Sequence, residues 1–294
     1  MSRNTLLVDI AKPVVHSSSG QVVYCCPMSA GISGRSRADL AQITGHGRRF
    51  VTVADAADSL RVERPEAARR LARWAEQGWL RRVRRDLYIP VPVDTVHPEG
   101  WGADPLVLAD AVWGPCYATG WTAANHWGLT EQSFRTTVVK TVQRVRRTDQ
   151  RLLDNDVLIA HTSPELLTWG MKREWREERR IQIADPARTV IDALDDLRLV
   201  GGIRLATEIL AAYLDAHDPD SLVSYGDRLA NRTVFKRIGL LGEVIGANPG
   251  LLADCESRLS AGFPMLDPTQ PPAGIRSQRW RLLVNARIDD LEPS

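Results

Sequence analysis

Apolar residues recur at helical spacing in the first third of the chain, and polar caps punctuate them. Ser36-Arg37-Ala38-Asp39 has the form of a capping box and predicts a helix to about Gly45. Thr52-Val53-Ala54-Asp55 repeats the signature. Val53, Ala56, Ala57 and Leu60 then fall at i, i+3, i+4, i+7, one face of a second helix. A short link without glycine, Arg61 to Arg64, leads to Pro65, which suits a first helical turn because its missing N–H costs nothing there. The third helix is expected over Pro65 to Gln77. Its buried face is expected to be Ala68, Leu71, Ala72 and Ala75, with Glu66, Arg69, Arg70, Arg73, Glu76 and Gln77 on an arc of about 120° opposite. Gly78 marks its end. Trp79–Val83 and Leu87–Ile89 read as two strands joined by a turn at Arg84–Asp86, and Pro90 and Pro92 stop the element. Three helices and a hairpin, in that order, predict a winged helix-turn-helix.

Proline and glycine then concentrate over a linker at 93–103. Beyond it the pattern mixes periods. Helices are expected at Leu106–Trp113 and Trp121–Trp127. Segments rich in β-branched residues at Thr136–Gln143, Asp156–Thr162 and Arg180–Ala184 read as strands. Asp185-Pro186 is an N-cap followed by proline, with Ala187, Val190, Ile191, Leu194 and Leu197 on one helical face. Further helices are expected at about 202–215, 221–229, 234–245 and 254–262, and a closing strand at 280–288. The fold class expected is α+β: an extension over 1–34 with a short strand at Gln21–Cys25, a winged helix over 35–92, and a larger mixed domain over 104–294.

The chain has 294 residues, 44% hydrophobic and 25% charged, as in soluble globular domains. No run of apolar residues is long enough for a membrane span, and the first residues lack the order of a signal peptide, so cytoplasm is expected. Four cysteines, Cys25, Cys26, Cys116 and Cys255, form no Cys-x-x-Cys and no disulfide framework, and the histidines show no metal-ligand spacing. No metal and no cofactor is expected.

Charge changes the picture most. Residues 61–85 hold Arg61, Arg64, Arg69, Arg70, Arg73, Arg81, Arg82, Arg84 and Arg85 against Glu63, Glu66 and Glu76, a local +6 in a chain of net +2. Arginine outnumbers lysine throughout, so its abundance says little; its concentration here says more. A cationic helix and hairpin point to a phosphate backbone, with some arginines forking onto guanine and the rest on phosphates. Lys140, Arg144, Arg146 and Arg147 form a second basic patch that could add phosphate contacts. A third, Lys172–Arg180, is diluted by Glu174, Glu177 and Glu178 and reads as solvated surface. The tryptophans at 101, 113, 121, 127, 169 and 175 are expected in the core. Two other readings remain open: a winged helix that docks protein, and an enzyme acting through the second domain on a partner or a nucleic acid.

Signatures of catalysis are missing. The chain has no Walker loop, no dinucleotide fingerprint, no nucleophile elbow and no acid two residues before a lysine. Asp154-Asn155-Asp156 and Asp218-Pro219-Asp220 read as turns or caps, and His126 as a packed residue. No enzyme is expected.

Several segments together resemble the AbiEi family, the antitoxins of type IV toxin–antitoxin systems. They are Phe50–Ala57, Arg69–Arg73, Gly78–Leu80 and Arg84–Tyr88; then Tyr117-Ala118-Thr119-Gly120-Trp121-Thr122-Ala123-Ala124 with His126 and Gly128; then Ala184–Asp192, Gly201–Ile203 and Arg237–Leu241. Asp86 stands where most members have glycine. The resemblance spans roughly residues 36–245. It implies an autorepressor that binds operator DNA, and a second domain that neutralises a nucleotidyltransferase-type toxin, directly or functionally. A palindromic operator would call for a dimer on DNA.

Overall fold

A computed structural model describes residues 33–287, except 93, 96, 98 and 99. The expected strand at 21–25 lies outside the described residues. The fold is mixed α/β.

The first helix, α1 (Gly34–Thr44), starts earlier than the capping box suggests. Ser33 is the N-cap and accepts from the Ser36 N–H at 3.2 Å. Asp39, no longer needed as a cap, pairs with Arg70 at 3.0 Å. β1 (Val51–Thr52) runs into α2 (Val53–Leu60), where Thr52 and Asp55 do form the reciprocal capping box. α3 (Arg64–Glu76) carries Pro65 in its first turn. It buries Ala67, Leu71 and Trp74, not the expected stripe through Ala68 and Ala72. The helix is rotated because an indole repays burial more than two methyl groups do. Ala72 is left on the outside.

β2 (Leu80–Arg84) and β3 (Leu87–Pro90) pair antiparallel with a bulge between Arg82 and Arg84, and β1 joins the free side of β3. Asp86 holds the turn at φ 68°, and its carboxylate accepts the Val53 N–H at 2.9 Å, capping α2 from the hairpin. The small sheet has two buried faces. Leu80 and Tyr88 pack with α1–α3, whereas Val83, Leu87 and Ile89 belong to the core of the rest of the molecule. The expected linker is fastened here as well: the Trp101 indole donates to Pro90 O at 3.0 Å, and Arg81 donates to Trp101 O.

α4 (Pro105–Trp113) is capped by Asp104. It covers a six-stranded mixed sheet in the order β6-β7-β5-β4-β9-β8. The strands are β4 (Cys116–Ala118), β5 (Thr137–Thr141), β6 (Asp149–Leu152), β7 (Asn155–His161), β8 (Met171–Arg176) and β9 (Arg179–Ala184). β4, β6 and β8 were not expected from sequence. β4 is three residues long, and β6 and β8 are edges whose polar sequence hides the alternation.

Helices form the remaining layer. They are α5 (Gly120–His126), α6 (Pro186–Asp195), α7 (Ile203–Ala216), α8 (Asp220–Leu229), α9 (Thr233–Val244) and α10 (Pro249–Ser257). α6 starts as expected, with Asp185 accepting from the Arg188 N–H at 2.8 Å. α10 begins five residues before its expected place because Asn248-Pro249 supplies cap and first turn. The closing strand shrinks to β11 (Leu282–Val284), paired with β10 (Ile275–Ser277). Trp280 instead turns inward against α9, where Gly239 leaves room for the ring: a Cβ there would lie 2.0 Å from the indole.

Candidate nucleic-acid interface

The nine arginines of residues 61–85 do not share one fate. Arg69 and Arg73 stand one turn apart on the exposed side of α3, with Ala72 between them. Arg61, in the left-handed conformation that ends α2, and Arg64, the first residue of α3, are also exposed. Arg82, Arg84 and Arg85 are exposed on the hairpin. Among the described residues, Arg61, Arg64, Arg73, Arg82, Arg84 and Arg85 carry no ion pair with a carboxylate. Arg69 pairs with Glu66 at 2.9 Å while 74% of its side chain stays in solvent. Such an exposed pair is weak and exchanges readily for another anion.

Arg70 and Arg81 are different. Arg70 is only 20% exposed and is held by Asp39 at 3.0 Å and Glu66 at 2.9 Å, which ties α3 to α1. Arg70 and Arg69 together hold the Glu66 carboxyl below its ordinary range. Arg81 is 17% exposed and bonds Asp154, at the β6–β7 turn, at 3.1 Å. Neither guanidinium lies on the open cationic surface. Both were placed with the DNA contacts from sequence, because charge and spacing do not reveal which arginines have partners.

Lys140 corrects the sequence reading outright. It points into the interior from β5, 5% exposed, with Nζ 2.9 Å from Asp192 and 3.7 Å from Asp195. It cannot reach a phosphate. Arg144, Arg146 and Arg147 remain exposed in the loop between β5 and β6.

The partner of Lys140 belongs to a buried cluster that sequence alone did not assemble. Asp192 accepts from Tyr117 Oη at 2.9 Å, Thr119 Oγ1 at 2.8 Å and Arg188 Nε at 3.0 Å as well as from Lys140. Burial pushes the Asp192 carboxyl up, but the charges of Lys140 and Arg188 outweigh it and hold the group below its usual range. Tyr117 is driven well above its ordinary value by burial and by Asp192. Arg188 stacks 3.8 Å from the centre of the Trp169 ring. The Tyr117–Ala124 and Ala184–Asp192 motifs therefore meet in space, sheet against α6. Gly120, in the first of them, has φ 55° and backs onto Leu199 O, where a Cβ would lie at 2.2 Å. Arg237 of the third motif donates to Leu194 O at 2.6 Å and Leu266 O at 3.0 Å, a cation at the C-terminal end of α6.

The remaining candidates are spoken for. His126 lies between Arg176 at 3.1 Å and Glu174 at 3.0 Å. Cys116 and Cys255 are free and buried, and burial pushes both thiols to about 12. Among the described residues no group of three or more His, Cys, Asp or Glu is placed to hold a metal ion, and no helix is long and apolar enough to cross a membrane. Trp113 and Trp169 are buried as expected, but Trp175 is 65% exposed.

No family model and no curated protein matches the chain. Among solved structures, the crystal structure of the RV2827C protein from Mycobacterium tuberculosis is similar in fold, with a TM-score of 0.58 over 90% of this chain and 96% of that chain, at 12% identity.

Proposed function

We propose that residues 34–90 form a winged helix-turn-helix that binds duplex DNA, in an operator-binding repressor whose larger domain acts as an antitoxin. One observation carries the DNA reading: of the nine arginines at 61–85, seven have exposed side chains, and these lie on α3, in the link before it and on the β2–β3 hairpin. In that docking, α3 enters the major groove. Arg69 and Arg73 lie where they can fork onto base edges, and the small Ala72 between them permits close approach. Arg82, Arg84 and Arg85 follow the phosphates or a narrow minor groove. Arg144, Arg146 and Arg147 can add phosphate contacts from the second domain, since Arg81 and Asp154 fasten the hairpin to that domain.

The antitoxin role rests on the family resemblance, and on the convergence of its two most specific motifs at Asp192. That convergence gives the motifs a shared physical reason to occur together.

The experiment is titration of a labelled duplex from upstream of the gene with the full chain. With about six phosphates neutralised, log K should fall against log salt with a slope near −5. A flat salt response, or full affinity in an Arg69→Ala/Arg73→Ala variant, would overturn the groove assignment. Co-expression with the product of the adjacent gene tests the second half: a toxic neighbour that the full chain fails to neutralise would remove the antitoxin reading and leave the DNA reading standing.

A further inference from the structure

The stretch Lys172–Arg180 is mixed in charge along the sequence, but one face of its hairpin carries no acid. Alternation along β8 and β9 sorts it. Arg173 lies opposite Gln182, and Trp175 opposite Arg180, on one face of the hairpin, while Ile181 and Ile183 of the other face are buried. Two of its three acids are engaged elsewhere, Glu174 with His126 and Glu177 with Arg49 and the Asp104 N–H, while Glu178 stands exposed in the turn between β8 and β9. Lys172, Arg173 and Arg180 are exposed and carry no ion pair among the described residues. Between the arginines stands Trp175, 65% exposed, with the Arg180 guanidinium 5.1 Å from its ring centre. Among the described residues β8 ends the six-stranded sheet, and its outer N–H and C=O groups have no strand partner there.

We propose that this edge docks an acidic, extended segment of a partner protein, which adds a strand to β8 and sets carboxylates on Arg173 and Arg180 beside Trp175. Main-chain pairing at a sheet edge supplies affinity and side chains supply choice. Tryptophan and arginine are the residues that most often dominate protein interfaces. A second copy of this chain is a poor occupant, because two β8 strands brought together would each be net positive, Lys172, Arg173 and Arg176 against Glu174. Single-stranded nucleic acid is also disfavoured, since stacking platforms present aromatic rings in series, and here one ring stands alone with a cation already against it. The surface is separate from α3, and the inference does not depend on the DNA reading.

The test uses the full chain and a fluorescein-labelled peptide alternating glutamate and valine. Binding should weaken by about thirtyfold, the loss of one hot spot, in Trp175→Ser and in Arg173→Glu/Arg180→Glu. It should be unchanged in Arg69→Ala/Arg73→Ala, and the bound peptide should slow amide exchange across 171–176. The substituted side chains are exposed, so each variant should melt with the wild type. Failure of the peptide to bind, equal binding by the variants, or unprotected β8 amides would overturn the proposal. An oligothymidylate whose binding is lost in the same variants would reassign the surface to nucleic acid, and a dimer abolished by them would reassign it to self-association.

Discussion

Lys140 Nζ sits 2.9 Å from Asp192 Oδ1, both side chains closed off from solvent. A lysine flanked in sequence by arginines is thus a core cation. Removing Lys140 takes one of two cations from the buried Asp192 carboxylate, with Arg188 remaining, at a cost of about 3 kcal/mol. Lys140→Ala should therefore lower the denaturation midpoint strongly while leaving the salt slope of the proposed DNA binding unchanged. Chemical denaturation and a salt titration on the same variant separate the two roles. A reduced slope with unaltered stability would contradict the placement.

The acid side of the stability profile follows from the same carboxylate. The folded-state pKa of Asp192 is held below its ordinary value, so the folded form binds its proton less readily than the unfolded chain does. Its contribution is fully present above the unfolded value, about pH 4, and is lost as pH falls through the lower folded value. Asp192→Asn should flatten that part of the curve. Denaturant midpoints measured from pH 6 downward give the comparison.

Arginines of α3 should divide by experiment as they divide in space. Arg70→Ala removes two partly shielded pairs and should cost about 1 kcal/mol of stability. Arg69→Ala and Arg73→Ala should leave stability within about 0.5 kcal/mol of wild type. Each should cost about 1–3 kcal/mol of discrimination if it reads a base. Thermal melts paired with binding to the duplex of the proposed titration and to a scrambled one distinguish the classes.

At the hairpin turn, Asp86→Ala and Asp86→Gly should differ. Both lose the bond to the Val53 N–H, a cap worth about 1 kcal/mol. Alanine keeps the steric cost of φ 68°, whereas glycine is released from it. The alanine variant should be the less stable by about 1 kcal/mol. Equal midpoints would show that the aspartate is not strained there.

Much of the N-terminal arrangement was legible because caps and periodicity are local: Thr52 with Asp55, Pro65, Gly78 and the two short strands all fall where adjacent residues place them. The face of α3 was misjudged because counting apolar positions weighs Ala68 and Ala72 equally with Trp74, although the ring buries far more area. The β8 edge was unreadable for a related reason: charge on both sides of a strand conceals its two-residue period. No local pattern could have joined Tyr117 to Asp192, which are 75 residues apart in sequence. The fate of Arg70, Arg81 and Lys140 is likewise a matter of distant partners.

The covered inner face of the small sheet bears on how such chains can be inherited. Val83, Leu87 and Ile89 have no solvent side to return to, and Arg81 takes its partners from Trp101 and Asp154. A recombination event that moved residues 33–92 alone into another gene would carry an unsealed apolar surface and a stranded guanidinium with it. On the proposed DNA reading, a change of sequence preference should therefore come by point substitution on α3, with the two halves descending together.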